Sequence, residues 1–327
     1  MKLITNLGGA DSPARTRAPE RGTFRVGAVQ TAWHRDAGEH RATLTAGVEL
    51  AARAGAQMVC LQELTLSPYF AIVPDGAEAL GVAAEPLTGG PTHAFAAELA
   101  ARVGLVVHAS LFEAAGEAEH PSVGAVPAGG GGFNTAIAVG PDGELLARTR
   151  KLHIPVTAGY YEDRYFAPGD TGYPVVDVGP ARIGLPTCWD QWFPEPPRAY
   201  SLAGADLLVY PTAIGSEPDH PGFDTRPLWQ QVIVGNGIAN GLTMVAVNRI
   251  GTERAADLAA SGAAPDPPDT EITFYGSSFI PDPYGRILAQ APRDADAVLV
   301  ADVDLDAKRD WLELFPLLTP RRPDTYG

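Results

Sequence analysis

The chain has 327 residues, 45% of them hydrophobic, which is enough apolar material to fill one large domain or two ordinary ones without disulfide or metal staples. Its formal net charge of -15 would repel a phosphate backbone, so no nucleic acid partner is expected, and the acidity serves solubility or a cationic substrate. Its two cysteines, Cys60 and Cys188, lie in apolar runs, no stretch approaches the ~18 apolar residues that span a bilayer, and the charged N-terminus lacks an apolar signal core. A cytoplasmic protein with no membrane partner is the expectation.

Residues 1–22 read as a disordered N-terminal extension and residues 23–327 as a single domain. The β-branched alternation of residues 24–30 predicts a strand, and helical spacing over 40–54 predicts a helix after it. A strand over 57–61 runs up to Glu63; a helix over 92–103 and a strand over 105–111 follow. Pro141-Asp142-Gly143 marks the turn of a hairpin made by 133–139 and 144–149, whose second strand delivers Lys151. Strands over 175–178 and 182–186 lead to Cys188, followed by a helix over 194–203 and a strand over 207–210. A helix over 226–241, a strand over 244–248, a hairpin of 274–280 with 286–289 and a strand over 298–303 complete the series. Residues 255–270, rich in Ala, Pro and Asp, read as an exposed loop. Strand–helix units mixed with hairpins predict an α/β fold built on a mixed sheet, not a purely parallel one.

Cys188 carries the strongest chemical signal, because an apolar strand ends at a thiol just before a Pro-rich turn and a helix. Backbone N–H donors at such a turn would favour thiolate over thiol and suit acyl transfer, whereas the plain alternative is a small buried hydrophobe. Three other titratable residues stand at strand ends or beside them. Glu63 sits in an apolar neighbourhood that includes Tyr69, where a raised pKa would suit proton transfer. Lys151 ends its strand, and Glu162 lies in an aromatic loop with Tyr160 that could wall a pocket. One sheet edge could gather all four. Gly129 to Gly132 lacks the Lys of a phosphate loop, and His34, His108, His153 and His220 are scattered without zinc-site spacing.

Leu61-Gln62-Glu63, Arg150-Lys151-Leu152-His153-Ile154-Pro155 and Cys188-Trp189-Asp190 resemble, in order and spacing, the Glu, Lys and Cys motifs of the nitrilase superfamily, the carbon–nitrogen hydrolases. The resemblance runs from about Phe24 to Tyr326 and is closest to the N-carbamoylputrescine amidase branch. It rests there on segments such as Tyr165-Phe166-Ala167-Pro168-Gly169-Asp170 and Tyr210-Pro211-Thr212-Ala213-Ile214-Gly215. It implies a four-layer αββα sandwich, a homodimer or higher homo-oligomer formed through a helical face, and no metal or organic cofactor. It also implies Cys188 as nucleophile, Glu63 as general base and acid, Lys151 as stabiliser of the tetrahedral intermediate, and Glu162 as a positioning glutamate.

The expected substrate is a small-molecule amide, an N-carbamoyl amine such as N-carbamoylputrescine, bound by Tyr69, Tyr160, Trp189, Asp190, Trp192 and Thr212. Gln191 and Trp192 stand where relatives that cleave N-carbamoyl amino acids have arginines that resemble a carboxylate clamp, so an uncharged or cationic tail is expected. Val156-Thr157, Asn236 and Pro196-Pro197 depart from the branch pattern and leave the exact amine open. Another small amide, an ω-amide, a guanidino-acyl amide or N-carbamoyl-β-alanine, is the enzymatic alternative. A pseudoenzyme scaffold, or a cysteine peptidase using His153, are the alternatives of other classes.

Overall fold

A computed structural model describes residues 1–9, 11–74, 81–116, 131–258 and 270–326. The first half of the chain builds β1 (Lys2–Asn6), β2 (Thr23–Gln30), α1 (Ala37–Arg53), β3 (Met58–Cys60), α2 (Pro91–Val103), β4 (Val106–Ala114), β5 (Gly132–Val139) and β6 (Leu145–Arg150). It continues with β7 (Val175–Val178), β8 (Ala181–Gly184), α3 (Glu195–Leu202), β9 (Leu207–Pro211), α4 (Arg226–Asn240) and β10 (Thr243–Val247). The last stretch holds β11 (Thr252–Arg254), α5 (Ala255–Leu258), β12 (Glu271–Thr273), β13 (Phe279–Pro281), β14 (Ile287–Gln290), β15 (Ala297–Asp304) and α6 (Ala307–Leu314).

Two mixed sheets result, one in the order β1-β15-β2-β3-β4-β5-β6 and one in the order β14-β13-β10-β9-β8-β7. Alternation along each strand decides what it covers. Met58, Cys60, Leu299, Ala301, Ile183, Val209 and Val245 meet in a core between the sheets. The intervening residues Val59, Val107, Val298 and Val300 pack outward under Leu44 and Val48 of α1 and Phe95 and Leu99 of α2. On the far side, Leu208, Met244 and Phe279 lie under Tyr200 of α3 and Trp229 and Ile233 of α4. Burial on both faces explains why these strands read as continuous apolar runs. The layers are therefore helix, sheet, sheet, helix, the αββα sandwich expected.

Helix ends follow local chemistry. The Asp36 side chain accepts from the Glu39 N–H at 2.7 Å and starts α1, while Gly104 and Gly241, both with positive φ, end α2 and α4. A Cβ on Gly47 would stand 2.5 Å from a Val29 methyl carbon, so this glycine lets α1 lie close on β2.

The N-terminal segment departs from the expectation of disorder. Residues 2–6 add a parallel edge strand to β15, and the chain then crosses the open end of the sandwich. Asn6 Nδ2 donates to the Leu288 carbonyl of the other sheet at 2.9 Å, Ser12 and Tyr284 share a hydroxyl pair at 2.6 Å, and Arg21 holds Asp206 at 2.6 Å. Arg15 pairs with Asp304 and, at 2.9 Å, with the buried Asp310. A polar segment with few apolar residues is ordered here by ion pairs to distant carboxylates, which local composition does not reveal. Most of the 255–270 loop lies outside the described residues; its described start is α5.

Asp302, Asp306 and Asp310 all ionise more readily than usual. For Asp302 the Arg25 hydrogen bond is the main cause; for Asp306 and Asp310 burial opposes the shift, but donors from Arg21, Glu20, Arg309 and Arg15 outweigh it. A carboxylate with a lowered folded pKa contributes stability above its unfolded value and loses it as pH falls through the folded value. The strap is therefore expected to weaken from about pH 4 downward. Arg15→Ala should lower Tm by a few degrees at pH 7, for a loss of about 1 kcal/mol, and less at pH 3, as followed by thermal denaturation at both pH values.

Candidate active site

The strands that carry the candidate residues end at one rim of the sandwich. β2, β3 and β4 are parallel and β5 returns antiparallel, so β6 again points the same way as β3. In the second sheet β8, β9 and β10 are parallel, and a parallel bridge between Ala32, past β2, and Ile250, past β10, shows that both sheets deliver their carboxyl ends to this rim. Glu63 follows β3, Lys151 follows β6, Glu162 opens a 3₁₀ turn (Glu162–Arg164), and Cys188 opens another (Cys188–Trp192) after β8.

Lys151 is the centre. Its side chain is fully buried, and Nζ donates to Glu162 Oε2 at 2.6 Å and to Glu63 Oε1 at 2.9 Å. Asn134 Nδ2, from β5, donates to Glu63 Oε1 at 2.8 Å and to Glu162 Oε2 at 3.4 Å, and the Tyr69 hydroxyl donates to Glu162 Oε1 at 2.8 Å. Glu63 Oε2 is buried and has no hydrogen-bond partner among the described residues. One oxygen of the glutamate is thus committed and the other is uncommitted.

Burial opposes the charge on Lys151, yet Glu162 and Glu63 outweigh it and hold the ammonium above its ordinary range. Burial also raises Glu162, and the neighbouring Glu63 adds to the rise, while Lys151 and Tyr69 counter it. Cys188 lies within reach of the same charges. Burial pushes its thiol well above the usual range, Glu63 and Glu162 add to the shift, and Lys151 and the Ala213 N–H act against it. This corrects the expectation that the turn alone favours thiolate: burial and the two carboxylates outweigh the local donors and favour the protonated sulfur. Cys188 also has φ 34°, in the left-handed region that an L-residue occupies only when its surroundings hold it there.

Of the expected binding residues, Tyr160 and Trp189 line a cleft together with Cys188, Glu162, Pro155, Thr157, Ala213, Ile214 and Glu217. Four others serve elsewhere. Asp190 is buried, and its oxygens accept from the Thr187 N–H at 3.1 Å, the His153 N–H at 2.9 Å and His153 Nδ1 at 2.8 Å. It ties the loop after β6 to the loop after β8. His153 is spoken for by Asp190 and stacks on Phe193 at 3.7 Å, so it is not a partner for the thiol. Tyr69 holds Glu162, Thr212 Oγ1 donates to the Val247 carbonyl at 3.2 Å, and Trp192 packs on Trp189 within the helix-covered core.

Gln191 is likewise buried, its Oε1 accepting from Trp229 Nε1 at 2.8 Å and its carbonyl from Asn236 Nδ2 at 3.1 Å. Position 191 therefore says little about the substrate tail. Asn134 was not foreseen; its signal was a polar pair, Asn134-Thr135, inside an otherwise apolar, fully buried strand. Among the described residues no cluster of His, Cys, Asp or Glu suits a metal ion.

Two outcomes test this geometry. Iodoacetamide should label Cys188, which lines the cleft, and spare Cys60, which lies in the core between the sheets, as peptide mass spectrometry would report. Lys151→Met should cost about 3–5 kcal/mol by leaving buried carboxylates unpaired, measured by urea unfolding.

A family model of carbon–nitrogen hydrolases matches residues 25–312. The chain is 40% identical over 301 residues to an N-carbamoylputrescine amidase from Solanum lycopersicum, an alignment covering 92% of this chain and 93% of that protein. It is 35% identical over 303 residues to a citrullinase from Francisella tularensis subsp. tularensis, covering 93% and 96%. The crystal structure of a carbon–nitrogen hydrolase from Helicobacter pylori G27 matches with a TM-score of 0.76 at 31% identity, covering 93% of this chain and 97% of that one. With the match spanning nearly the whole sandwich, the chain belongs to the carbon–nitrogen hydrolase family.

Proposed function

We propose that this enzyme hydrolyses an N-carbamoyl amine with a cationic tail, N-carbamoylputrescine first among the candidates, through a thioester-like intermediate on Cys188. The observation that carries the reading is the uncommitted Oε2 of Glu63 in a site where the Cys188 thiol keeps its proton. Glu63 takes that proton as sulfur attacks the carbamoyl carbon. The oxyanion is met by Lys151 and by the backbone N–H of Trp189, which lies in the first turn of a helical segment and lacks an intrahelical acceptor. Glu63 then hands the proton to the departing nitrogen. Water, deprotonated by Glu63, hydrolyses the S-carbamoyl enzyme; the proton returns to sulfur, and amine, ammonia and carbon dioxide are released.

The tail is argued from the cleft. Among the described residues lining it there is no Arg or Lys, whereas Glu217 contributes a half-buried carboxylate accepting from Thr225 Oγ1 at 3.2 Å. Burial raises Glu217 above its usual range despite Thr225 and His220, a penalty that an alkylammonium would relieve. Trp189 and Tyr160 offer aromatic faces beside it. The names of the 40% and 35% identical relatives, an N-carbamoylputrescine amidase and a citrullinase, agree on a carbamoyl nitrogen substrate, and the missing cation in the cleft favours a tail without carboxylate. The reading includes a cytoplasmic homo-oligomer, joined through the outer helices, where Leu202 of α3 and Leu228 of α4 are exposed.

Ammonia release should be fastest with N-carbamoylputrescine in a panel that includes N-carbamoyl-β-alanine, citrulline, simple amides and nitriles. Cys188→Ala should release none, and Glu217→Gln should raise KM for the cationic substrate about tenfold with kcat little changed. Preference for N-carbamoyl-β-alanine would overturn the assignment of the tail.

A further inference from the structure

The buried charges at this rim do not end with Lys151. Arg249, two residues past β10, is fully buried, and its Nη2 donates to the carbonyls of Glu63 at 2.7 Å, Leu64 at 3.2 Å and Ser67 at 3.3 Å. Its Nη1 donates to Glu253 Oε1 at 2.7 Å. The other oxygen of Glu253 accepts from the Tyr69 N–H at 2.6 Å, and Tyr69 in turn holds Glu162. A single ion pair thus grips the backbone of one catalytic glutamate and the backbone of the tyrosine that anchors the other.

What it grips is strained. Leu64, next to Glu63, has φ 48°, a conformation that leucine avoids unless the surrounding structure fixes it. Its N–H donates to Ser110 Oγ at 3.1 Å, and its carbonyl faces Arg249. Without the guanidinium, three neighbouring carbonyls lose a shared donor, and the turn can relax toward an ordinary backbone that rotates the Glu63 carboxylate.

We propose that Arg249 and Glu253 are positioning residues for the reaction: they hold the strained Glu63–Leu64 turn and, through Tyr69, Glu162, so that Glu63 Oε2 is aimed at the sulfur. The inference rests on the reading of Glu63 as the base. Neither residue lines the cleft, so the effect belongs to kcat. It also makes the segment after β10, which carries both members of the pair, part of the catalytic frame.

A merely structural ion pair behaves differently, because replacing both charges of a buried pair is often neutral for stability while removing one is not. Arg249→Met alone should lower Tm. The double variant Arg249→Met with Glu253→Gln, which removes both charges and keeps an acceptor for the Tyr69 N–H, should regain Tm yet lose kcat by on the order of 10- to 100-fold, with KM within about twofold. Turnover is read as ammonia release from whichever carbamoyl amine or amide the wild-type protein cleaves fastest. Wild-type kcat in the double variant overturns the proposal. Should the double variant fail to fold, Arg249→Lys decides: one ammonium cannot span three carbonyls and Glu253, so kcat should fall about tenfold at near-normal Tm, and an unchanged kcat again rejects the inference. Full turnover by Glu63→Gln would instead remove the base reading itself, whereas an inactive Glu63→Gln beside a fully active double variant removes only the arm.

Discussion

A buried lysine ammonium lodged between two buried carboxylates organises this molecule. Lys151 contacts Glu162 at 2.6 Å and Glu63 at 2.9 Å with all three side chains buried. Isolating any one of these charges would be costly, so the three stand or fall together. Burial is the main force on the nearby thiol and pushes Cys188 up, and both glutamates add to the shift against Lys151. In the proposed reaction, proton removal and attack on carbon must accompany one another, and the oxygen of Glu63 that none of the described residues engages is the place for the proton.

Such an arrangement needs a frame that cannot drift. Two sheets deliver their carboxyl ends to one rim, and several buried polar groups cross between the resulting loops. Asp190 joins the segment after β6 to the turn of Cys188, Asn134 spaces the two glutamates, and Arg249 holds the carbonyl side of Glu63. Left-handed backbone at Leu64 and Cys188 marks two places where this frame overrides local preference. At the opposite edge, the N-terminal strap closes the sandwich with ion pairs instead of apolar contacts.

Much of this was legible in the sequence. Doubly buried strands announce themselves as apolar runs, the Pro141-Asp142-Gly143 turn fixes a hairpin, and the motifs around Glu63, Lys151 and Cys188 name residues that the structure brings together. Legibility failed where the decisive partner is remote. The β1 strand is short and polar and exists because β15 lies beside it. Helix α6 is only eight residues long, and its docking depends on contacts such as Trp311 Nε1 to the Ile238 carbonyl at 2.8 Å. Asp190, Thr212, Tyr69 and Trp192 adjoin the right motifs, but which way a side chain beside a nucleophile points is settled by its hydrogen-bond partners, not by its neighbours in sequence. The protonation of Cys188 was misread for a related reason, since a turn contributes donors locally while burial and two glutamates act from distant parts of the chain.

Substrate choice follows from the same asymmetry of charge. A cleft with a carboxylate at Glu217 and no lining cation among the described residues suits a small molecule with a positive tail and a neutral, planar carbamoyl head. In the proposed reaction, the head is what the Lys151 centre acts on. The most direct test of the account is rapid-quench mass spectrometry of the enzyme during turnover of N-carbamoylputrescine. The account predicts a transient thiocarbamate adduct on the peptide containing Cys188, absent from Cys188→Ala, which should also be inactive; sustained ammonia release by Cys188→Ala would contradict it.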